Sequence, residues 1–220
     1  MKDYSKRECC ASCDSRVLKD ILDLGKVPLA GFFPKKEELD NVSSFDLKLQ
    51  MCEKCKLVQT DSVIDPDILF RDYRYLSSIG LTKHFEEAAK SLDDKHNIRG
   101  KEILEFGCND GVLLEPLNNL GANTLGVDPS INVSQIARDK GLNVITEYFN
   151  YHTFGTDEWK EKFDFILSNN AFAHIIDIKD TAKAVEHCLK LGGKFIFEVH
   201  YLKNLVDELQ WDNIYHEHIY

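Results

Sequence analysis

Two pairs of cysteines in the N-terminal third of the chain have the spacing of metal ligands. Cys10 and Cys13 form one C-x-x-C pair, and Cys52 and Cys55 form the other. Each pair places two thiolates on one tight turn, and two such turns complete a tetrahedron around Zn²⁺. Four thiolates leave no coordination position for a substrate, so the predicted zinc is structural. Cys9 fits the turn less well, because it would form a C-x-x-x-C pair, and the alternative to zinc is four unliganded thiols.

A second group of candidate residues follows a buried strand pattern in the middle of the chain. Glu105 lies near the end of the apolar run 102–106, and Gly107 and Gly111 bound the turn that follows. The glycines are expected to let a ligand approach bare backbone, and the next helix is expected to offer unpaired N–H groups. Asp128 ends the second strand pattern, where an acid is placed to accept hydrogen bonds from ribose hydroxyls. The alternative is an ordinary strand, turn and helix.

The spacing of these glycines distinguishes two classes of cofactor. A dinucleotide fingerprint requires G-x-G-x-x-G, but Asn109 occupies the second glycine position and Val112 occupies the third. The pattern acid-x-Gly-x-x-x-Gly instead resembles the S-adenosylmethionine loop of Rossmann-like methyltransferases. In those enzymes the acid lies near the ammonium group of the cofactor. The resemblance therefore implies that Glu105 is a counter-charge for S-adenosylmethionine.

The C-terminal ten residues contain Tyr215, His216, Glu217 and His218 in succession. One interpretation is a metal site formed by the two histidines, although no third ligand is evident. Another is acid–base chemistry, because histidine titrates near neutral pH and a carboxylate is adjacent. A third is a polar surface turn, and composition alone does not decide among them.

The elements that position these residues alternate between strand and helix from residue 101 onward. This pattern predicts an α/β fold with a parallel sheet covered on both faces, and ligands in such sheets bind at the carboxyl ends of the strands. The predicted strands are 102–106, 124–128, 142–146, 163–168 and 194–199, and the predicted helices are about 111–120, 132–140, 178–190 and 201–209. Tyr148 and Phe149, which follow the third strand, either flank an adenine ring or belong to the core.

The remainder of the chain is predicted to form two further regions. Residues 1–70 are expected to form a small zinc-binding domain with a strand at 45–51. Residues 71–100 form a connector, with a helix that begins after an N-cap at Thr82 and ends near residue 95. Residues 101–220 form the Rossmann-like domain, which is expected to be incomplete at its C-terminus.

Composition excludes several classes of function. The 220 residues are enough for one core and a small appendage, and 27 basic against 37 acidic residues give a net charge of −10. An acidic chain without a cluster of basic residues is a poor candidate for binding nucleic acid. No apolar run approaches the roughly 20 residues that span a bilayer, and the N-terminus lacks the apolar core of a signal peptide. We therefore expect a cytoplasmic protein with no membrane partner.

Taken together, these motifs resemble one family, the zinc-containing sugar C-methyltransferases of deoxysugar pathways. Members have an N-terminal zinc-binding domain, a central S-adenosylmethionine domain and a C-terminal Rossmann-like domain. They methylate the carbon next to the ketone of a nucleotide-linked keto-deoxysugar. The stretches that carry the resemblance are the two C-x-x-C pairs, 73–75 with 77–78, 105–111, 170–174, 197–199 and 214–218.

The resemblance also implies roles for individual residues. His218 would be the base that removes the proton next to the ketone, with no metal in the reaction. Four further residues would orient the sugar or stabilise the enolate: Glu217, Tyr215, His174 and Tyr75, with Tyr75 preferred to Tyr73. The cofactor would contact Glu105, Gly107, Asn109, Gly111, Asp128 and Asn170.

The chain departs from the family at its C-terminus, two residues after His218. Members continue well beyond this motif, so we expect either the N-terminal portion of a longer enzyme or one half of a split enzyme with a complementing chain. The isolated chain would then bind S-adenosylmethionine but methylate slowly or not at all. Two alternatives remain: a non-catalytic remnant that binds cofactor or a partner, and a nicotinamide-dependent sugar enzyme, which Asn109 and Val112 oppose.

Overall fold

The computed structural model describes residues 4–31, 34–210 and 213–218. Contacts divide the chain into two compact units. The first comprises Met1–Leu69, Ala173–Lys179 and Val199–Tyr220, and the second comprises Phe70–Phe172 and Asp180–Glu198. Two later segments therefore group with the N-terminal region. The linear division into 1–70, 71–100 and 101–220 stays a prediction.

The first unit is built mainly from short antiparallel strands. A three-stranded sheet has the order β2-β3-β4, and β1 pairs with β5. Leu47 and Leu49 alternate with polar residues along β3 and are buried, which is the pattern that predicted this strand. The strands are β1 Tyr4–Lys6, β2 Leu18–Pro28, β3 Ser44–Cys52, β4 Val58–Thr60 and β5 Ser62–Ile64, with a 3-10 helix at Lys36–Asn41.

The second unit contains a five-stranded parallel sheet of order β8-β7-β6-β9-β10. This is the arrangement of a class I S-adenosylmethionine-dependent methyltransferase, and it confirms the predicted fold. The first strand, β6, has β7 and β8 on one side and β9 and β10 on the other, so the ligand crevice opens at its carboxyl end. The strands are β6 Glu102–Phe106, β7 Asn123–Val127, β8 Val144–Ile145, β9 Phe163–Asn169 and β10 Leu189–Glu198.

The strand boundaries differ from prediction at two places. Strand β8 has two residues instead of the five predicted. Strand β10 begins at Leu189, five residues before the predicted start, because Leu189 pairs with Phe163 ahead of a register irregularity that ends at Lys194.

Seven helices lie among the described residues, and their bounds show two differences from the sequence pattern. Thr82 was predicted to cap α2. The helix spans Ser78–His96 with a kink at the non-helical Ile79 and Gly80, where φ of Gly80 is +97°, so Thr82 lies inside the helix just after the kink. The Thr82 hydroxyl donates to the Ser78 carbonyl, so the capping prediction was wrong. Helix α3 begins three residues later than predicted. The helices are α1 Pro66–Phe70, α2 Ser78–His96, α3 Leu114–Asn119, α4 Ile131–Asp139, α5 Tyr151–Phe154, α6 Ile178–Cys188 and α7 Leu202–Asp207.

The core of the second unit packs α2 against the sheet. Phe85 and Ala89 of α2 are buried in one cluster with Ile103 of β6. Phe149 is 5% exposed and stacks on Phe106 at 4.8 Å, so it belongs to the core and does not flank a ligand. Across the described ranges, no helix combines the length and apolarity needed to cross a membrane.

Candidate functional site

The two C-x-x-C pairs fold into turns of nearly identical geometry. The residue after each pair is left-handed, with φ of +58° at Asp14 and +69° at Lys56. Their N–H groups donate to the carbonyls of Cys10 and Cys52 at 3.0 and 2.9 Å. The two turns therefore present their thiols in the same way, as two zinc knuckles do.

The four cysteine sulfurs converge on one point. All four Sγ atoms lie within 4.8 Å of one another, with Cys10–Cys55 at 3.4 Å and Cys13–Cys52 at 3.6 Å. Tetrahedral Zn²⁺ with four thiolates separates its sulfurs by about 3.8 Å, so the cluster fits zinc. The N–H of Cys55 holds the pKa of Cys52 below its usual range, which favours the thiolate that zinc binds. This is a structural zinc site.

A buried glutamine that sequence reasoning missed supports the first knuckle. Gln59 in β4 is fully buried, its Oε1 accepts from the Ala11 N–H at 3.0 Å, and its Nε2 donates to the Cys9 carbonyl at 3.3 Å. Outer partners of this kind fix the orientation of metal ligands. The only sequence signal was a polar residue inside a short apolar strand.

The N–H groups of the glycine-rich loop after β6 are all bonded within the protein, whereas the expectation that the next helix offers unpaired N–H groups stays a prediction. Every N–H from residues 107 to 111 donates to an acceptor in the protein. Those of Gly107 and Cys108 reach the Val127 carbonyl, and that of Asn109 reaches Asp128 Oδ2 at 2.8 Å. A dinucleotide loop instead directs such donors at a pyrophosphate. The loop therefore argues against a dinucleotide.

The two glycines of the loop are required by the protein's own packing. Gly107 has φ of +69°, and a Cβ there would lie 2.2 Å from the Cβ of Ala171. Gly111 has φ of +79°, and a Cβ would lie 2.2 Å from Leu142 Cδ1. A ligand was expected to approach the backbone at these two glycines. In the structure, the atoms that lie against that backbone belong to the protein's own side chains. Whether the two glycines also contact cofactor stays a prediction.

Two buried acids lie at the carboxyl ends of adjacent strands. Burial raises the pKa of Glu105 to about 8, although Asn169 Nδ2 donates to its Oε1 at 3.2 Å. Its Oε2 is buried and has no hydrogen-bond partner among the described residues. Burial also raises the pKa of Asp128, and the N–H of Ser130 opposes that shift.

These acids fit S-adenosylmethionine. A cationic ligand group would both satisfy the orphaned oxygen of Glu105 and restore its ionised form. The Asp128 carboxylate accepts from two N–H groups and retains lone pairs for hydroxyl donors. These hydrogen-bond acceptors thus match the donors of an ammonium group and a ribose.

The side chains of two predicted cofactor residues are engaged elsewhere. Asn109, left-handed with φ of +50°, accepts from the Ser77 N–H and donates to the Tyr75 carbonyl, both at 3.0 Å. Asn170 donates to Glu198 at 2.7 Å. Asn109 therefore ties the connector to the loop, and any cofactor contact by either residue stays a prediction. The Tyr75 side chain is 50% exposed.

Three histidines gather in the first unit, far apart in sequence. The Nε2 atoms of His174 and His218 are 3.1 Å apart, and the rings of His200 and His218 have centroids 4.6 Å apart. The ring of Tyr215 lies 5.0 Å from that of His218. The structure thus brings together His174, Tyr215 and His218 as the resemblance implied, and it adds His200, which was not assigned a site role.

Hydrogen bonding determines which nitrogen of His218 carries the proton. Its Nδ1 lies 3.1 Å from the carbonyl of Asn213, which can only accept, so Nδ1 is protonated. Its Nε2 is then the basic atom and faces Nε2 of His174. Burial and the neighbouring His200 lower the pKa of His218 to about 4, and burial with His218 lowers that of His174 to about 3. Both rings are neutral at pH 7.

His216 and His218 do not share a metal site. His216 is buried with its Nε2 3.3 Å from the Phe45 carbonyl, whereas His218 faces His174. Within the described part of the chain, the four cysteines form the one group of three or more metal-binding side chains. The metal interpretation of the His-x-His pair is not supported.

Glu217 lines a small cavity of about 10 Å³ in the first unit, together with Arg7, His174 and His216. Its Oε2 is buried without a hydrogen-bond partner among the described residues. Burial raises the pKa of Glu217 to about 7, so the acid is partly protonated at neutral pH. A carboxyl group in this state can either donate or accept a proton.

Comparisons with known proteins agree with this geometry. A family profile described as a methyltransferase domain matches residues 80–220, and one for a zinc binding domain matches residues 10–70. The C-methyltransferase NovU of Streptomyces niveus is 30% identical over an alignment of 220 positions. The alignment covers 95% of this chain and 51% of that protein.

Two further proteins each match a little more than half of the chain. A ubiquinone biosynthesis O-methyltransferase of Bradyrhizobium diazoefficiens is 31% identical over 117 residues, covering 52% of this chain and 44% of that protein. The PH0226 protein from Pyrococcus horikoshii superposes with a TM-score of 0.50 at 21% identity, covering 59% and 63% of the two chains, and shows the shared fold. The chain spans about half the length of the curated relatives it matches, and the complementing chain stays a prediction.

Proposed function

Because the chain belongs to the methyltransferase-domain family and carries a zinc-binding domain, we propose that it methylates the carbon next to the ketone of a nucleotide-linked keto-deoxysugar. The observation that carries this proposal is the neutral, buried pair of His174 and His218. The similarity to a C-methyltransferase along 95% of the chain supports it. A cytoplasmic location stays a prediction.

Glu105 and Asp128 are the residues that would hold S-adenosylmethionine. Glu105 Oε2, which is buried without a partner among the described residues, would receive the ammonium group, and Asp128 would accept from the ribose hydroxyls. When bound, the cofactor supplies an electrophilic methyl group for a carbon nucleophile. Gly107, Asn109 and Gly111 would act by shaping the loop that carries these acids.

His218 would generate the carbon nucleophile. Its Nε2 lone pair would take the proton from the carbon next to the ketone, while the electrons of that C–H bond move toward the carbonyl oxygen. The resulting imidazolium would keep its Nδ1–H on the Asn213 carbonyl, which stabilises the positive charge. The low pKa of His218 keeps it unprotonated, and therefore ready to accept, throughout the neutral range.

The enolate oxygen requires hydrogen-bond donors. His174 has one N–H in its neutral form, and in this structure it is donated to His218 Nε2, so it would reach the enolate oxygen only once the substrate proton occupies that lone pair. Tyr215 has a phenolic hydroxyl that can also donate. Glu217 donates when protonated, as its raised pKa favours near pH 7. Donors placed where negative charge develops are worth several kcal/mol in a site that excludes water. Tyr75 is proposed to orient the sugar.

Mass spectrometry of the product tests the proposal. The purified chain, alone and with the predicted complementing chain, is incubated with S-adenosylmethionine and a nucleotide-linked 4-keto-deoxysugar. With the complementing chain present we expect one added methyl group, and with the chain alone little or none. His218→Asn should abolish the addition while still binding cofactor. His152→Asn, which changes an exposed histidine, is the matched control. Methylation that persists with His218→Asn would remove His218 as the base.

The alternative is a protein that binds cofactor or a partner without turnover. The neutral histidine pair and the part-protonated Glu217 favour chemistry over this alternative, because burying such groups destabilises a fold that does not use them. The two functions differ in one result. A non-catalytic protein would bind S-adenosylmethionine but yield no methylated sugar in either assay mixture.

A further inference from the structure

The zinc-binding region of the first unit holds the segment that carries His218. Thr60 ends β4, is 1% exposed, and lies five residues after the last zinc ligand, Cys55. Its hydroxyl oxygen is 3.2 Å from the carbonyl of His216 and 3.5 Å from that of His218. The carbonyl of Ser62 is a third acceptor at 3.2 Å.

A threonine hydroxyl has one hydrogen, so these three carbonyls share a single donor. The carbonyls of His216 and His218 lie outside any helix or strand, and the Thr60 hydroxyl is a donor within reach of both. A buried carbonyl that loses its donor destabilises the backbone around it. The Thr60 hydroxyl therefore fixes the backbone on which the His218 ring is mounted.

The preceding residue connects the same strand to the metal site. The side chain of Gln59 contacts Ala11 and the carbonyl of Cys9 on the first knuckle. Thr60 also pairs in register with Leu49 of β3, three residues before Cys52. Consecutive residues of β4 thus face the zinc knuckle and the histidine segment.

We propose that Thr60 is a positioning residue for His218, through which the folded zinc site sets the placement of the base. This inference rests on the proposed function, because it gives His218 its catalytic role. Thr60 itself touches only the backbone of the segment. The zinc domain would then contribute to the reaction without any metal chemistry.

The test combines a resonance measurement with kinetics. In protein with isotopically labelled histidines, Thr60→Val should shift the ring nitrogen signals of His218 and move its pKa toward the ordinary value near 6.5. Among the described residues, the titratable rings that contact His218 are His174, His200 and Tyr215, and all remain in the variant. The kcat of methyl transfer should fall about tenfold to 100-fold, with KM and cofactor affinity within twofold.

Matched variants distinguish the loss of His218 positioning from a general destabilisation of the fold. Thr60→Ser keeps the hydroxyl and should restore both the ring signals and kcat, whereas Thr124→Val, which removes a hydroxyl bonded to Asn118, should change neither. Zinc content should stay at one ion per chain throughout. Because Val places a methyl group against three carbonyls, Thr60→Ala, which leaves space for water, is a second variant with the same expected direction.

The result that overturns the proposal is an unchanged set of His218 ring signals in folded, zinc-containing Thr60→Val or Thr60→Ala. The resonance measurement needs no methyl transfer, so it is independent of the proposed function. Shifted ring signals, with no methylated product from the unmodified protein even in the presence of the complementing chain, would support the positioning and contradict the proposed function instead.

Discussion

The Nε2 atoms of His174 and His218 lie 3.1 Å apart, although 44 residues separate them in sequence. Because the Asn213 carbonyl holds the proton on Nδ1 of His218, the contact between the two rings is a hydrogen bond donated by His174. The pair therefore has a defined direction before any substrate binds. The lone pair that accepts the substrate proton is the one that His174 covers in this structure.

This direction predicts different effects for substitutions at the two positions. His218→Asn should lower kcat about 100-fold to 10,000-fold, because it removes the base. His174→Gln, whose amide can still donate, should retain more activity than His174→Leu, which cannot. Steady-state kinetics with His152→Asn as control measures the series. Equal losses for His174→Gln and His174→Leu would show that the donated hydrogen bond is unimportant.

Stability at acid pH follows from the lowered pKa values of the pair. Both folded values, about 3 for His174 and about 4 for His218, lie below the usual 6.5. At pH values between these folded pKa values and 6.5, the unfolded chain binds more protons than the folded chain. The free energy of unfolding therefore falls as pH drops below about 6.5. The double variant His174→Gln/His218→Asn should therefore lose less melting temperature than the unmodified protein between pH 7 and pH 5. An equal loss in both proteins would contradict neutral histidines.

Glu105 predicts the pH dependence of cofactor binding. Its pKa of about 8 in the free protein means that an ammonium ligand must displace a proton at lower pH. The affinity for S-adenosylmethionine should rise roughly tenfold per pH unit from pH 6 toward 8, above which the ligand's own amine loses charge. Calorimetry measures this, and Glu105→Gln should bind weakly without that slope. The same affinity at pH 6 and pH 7.5 would contradict Glu105 as the counter-charge.

The glutamine beneath the first knuckle predicts metal affinity. Gln59→Leu removes the acceptor for Ala11 and the donor to Cys9, so zinc affinity should fall about 10-fold to 100-fold. Competition with a chelator measures the change. Gln50→Leu, which removes a surface contact with Asp20, is the matched control and should bind zinc normally. A normal zinc affinity in Gln59→Leu would show that the ligands alone define the site.

Much of this arrangement was predictable because it follows from local rules. The cysteine spacing identified the metal site, and the strand–helix alternation identified the parallel sheet. The resemblance paired His174 with His218 in one function. Asp128 was predicted from its place at the end of the second strand, and Glu105 was predicted from the resemblance of its loop to that of Rossmann-like methyltransferases.

The remainder depended on contacts between residues that are distant in sequence. Gln59 and Thr60 have no motif, since their importance comes from the knuckle and the turn that they contact. Asn109 was predicted to bind cofactor, and its side chain is hydrogen-bonded to the backbone of Tyr75 and Ser77. Its backbone is left-handed, a conformation that asparagine tolerates better than most residues other than glycine. The hydrogen bonds that satisfy the N–H groups of the loop likewise could not be predicted from the sequence.

The position of the transferred methyl group tests the central claim most directly, because O-methyltransferases also match this chain. The reaction is run with S-adenosylmethionine whose methyl carries carbon-13, and the sugar product is analysed by nuclear magnetic resonance. The account predicts a methyl signal on carbon, coupled to the carbon next to the ketone, that disappears with His218→Asn. A methyl signal on oxygen would contradict it.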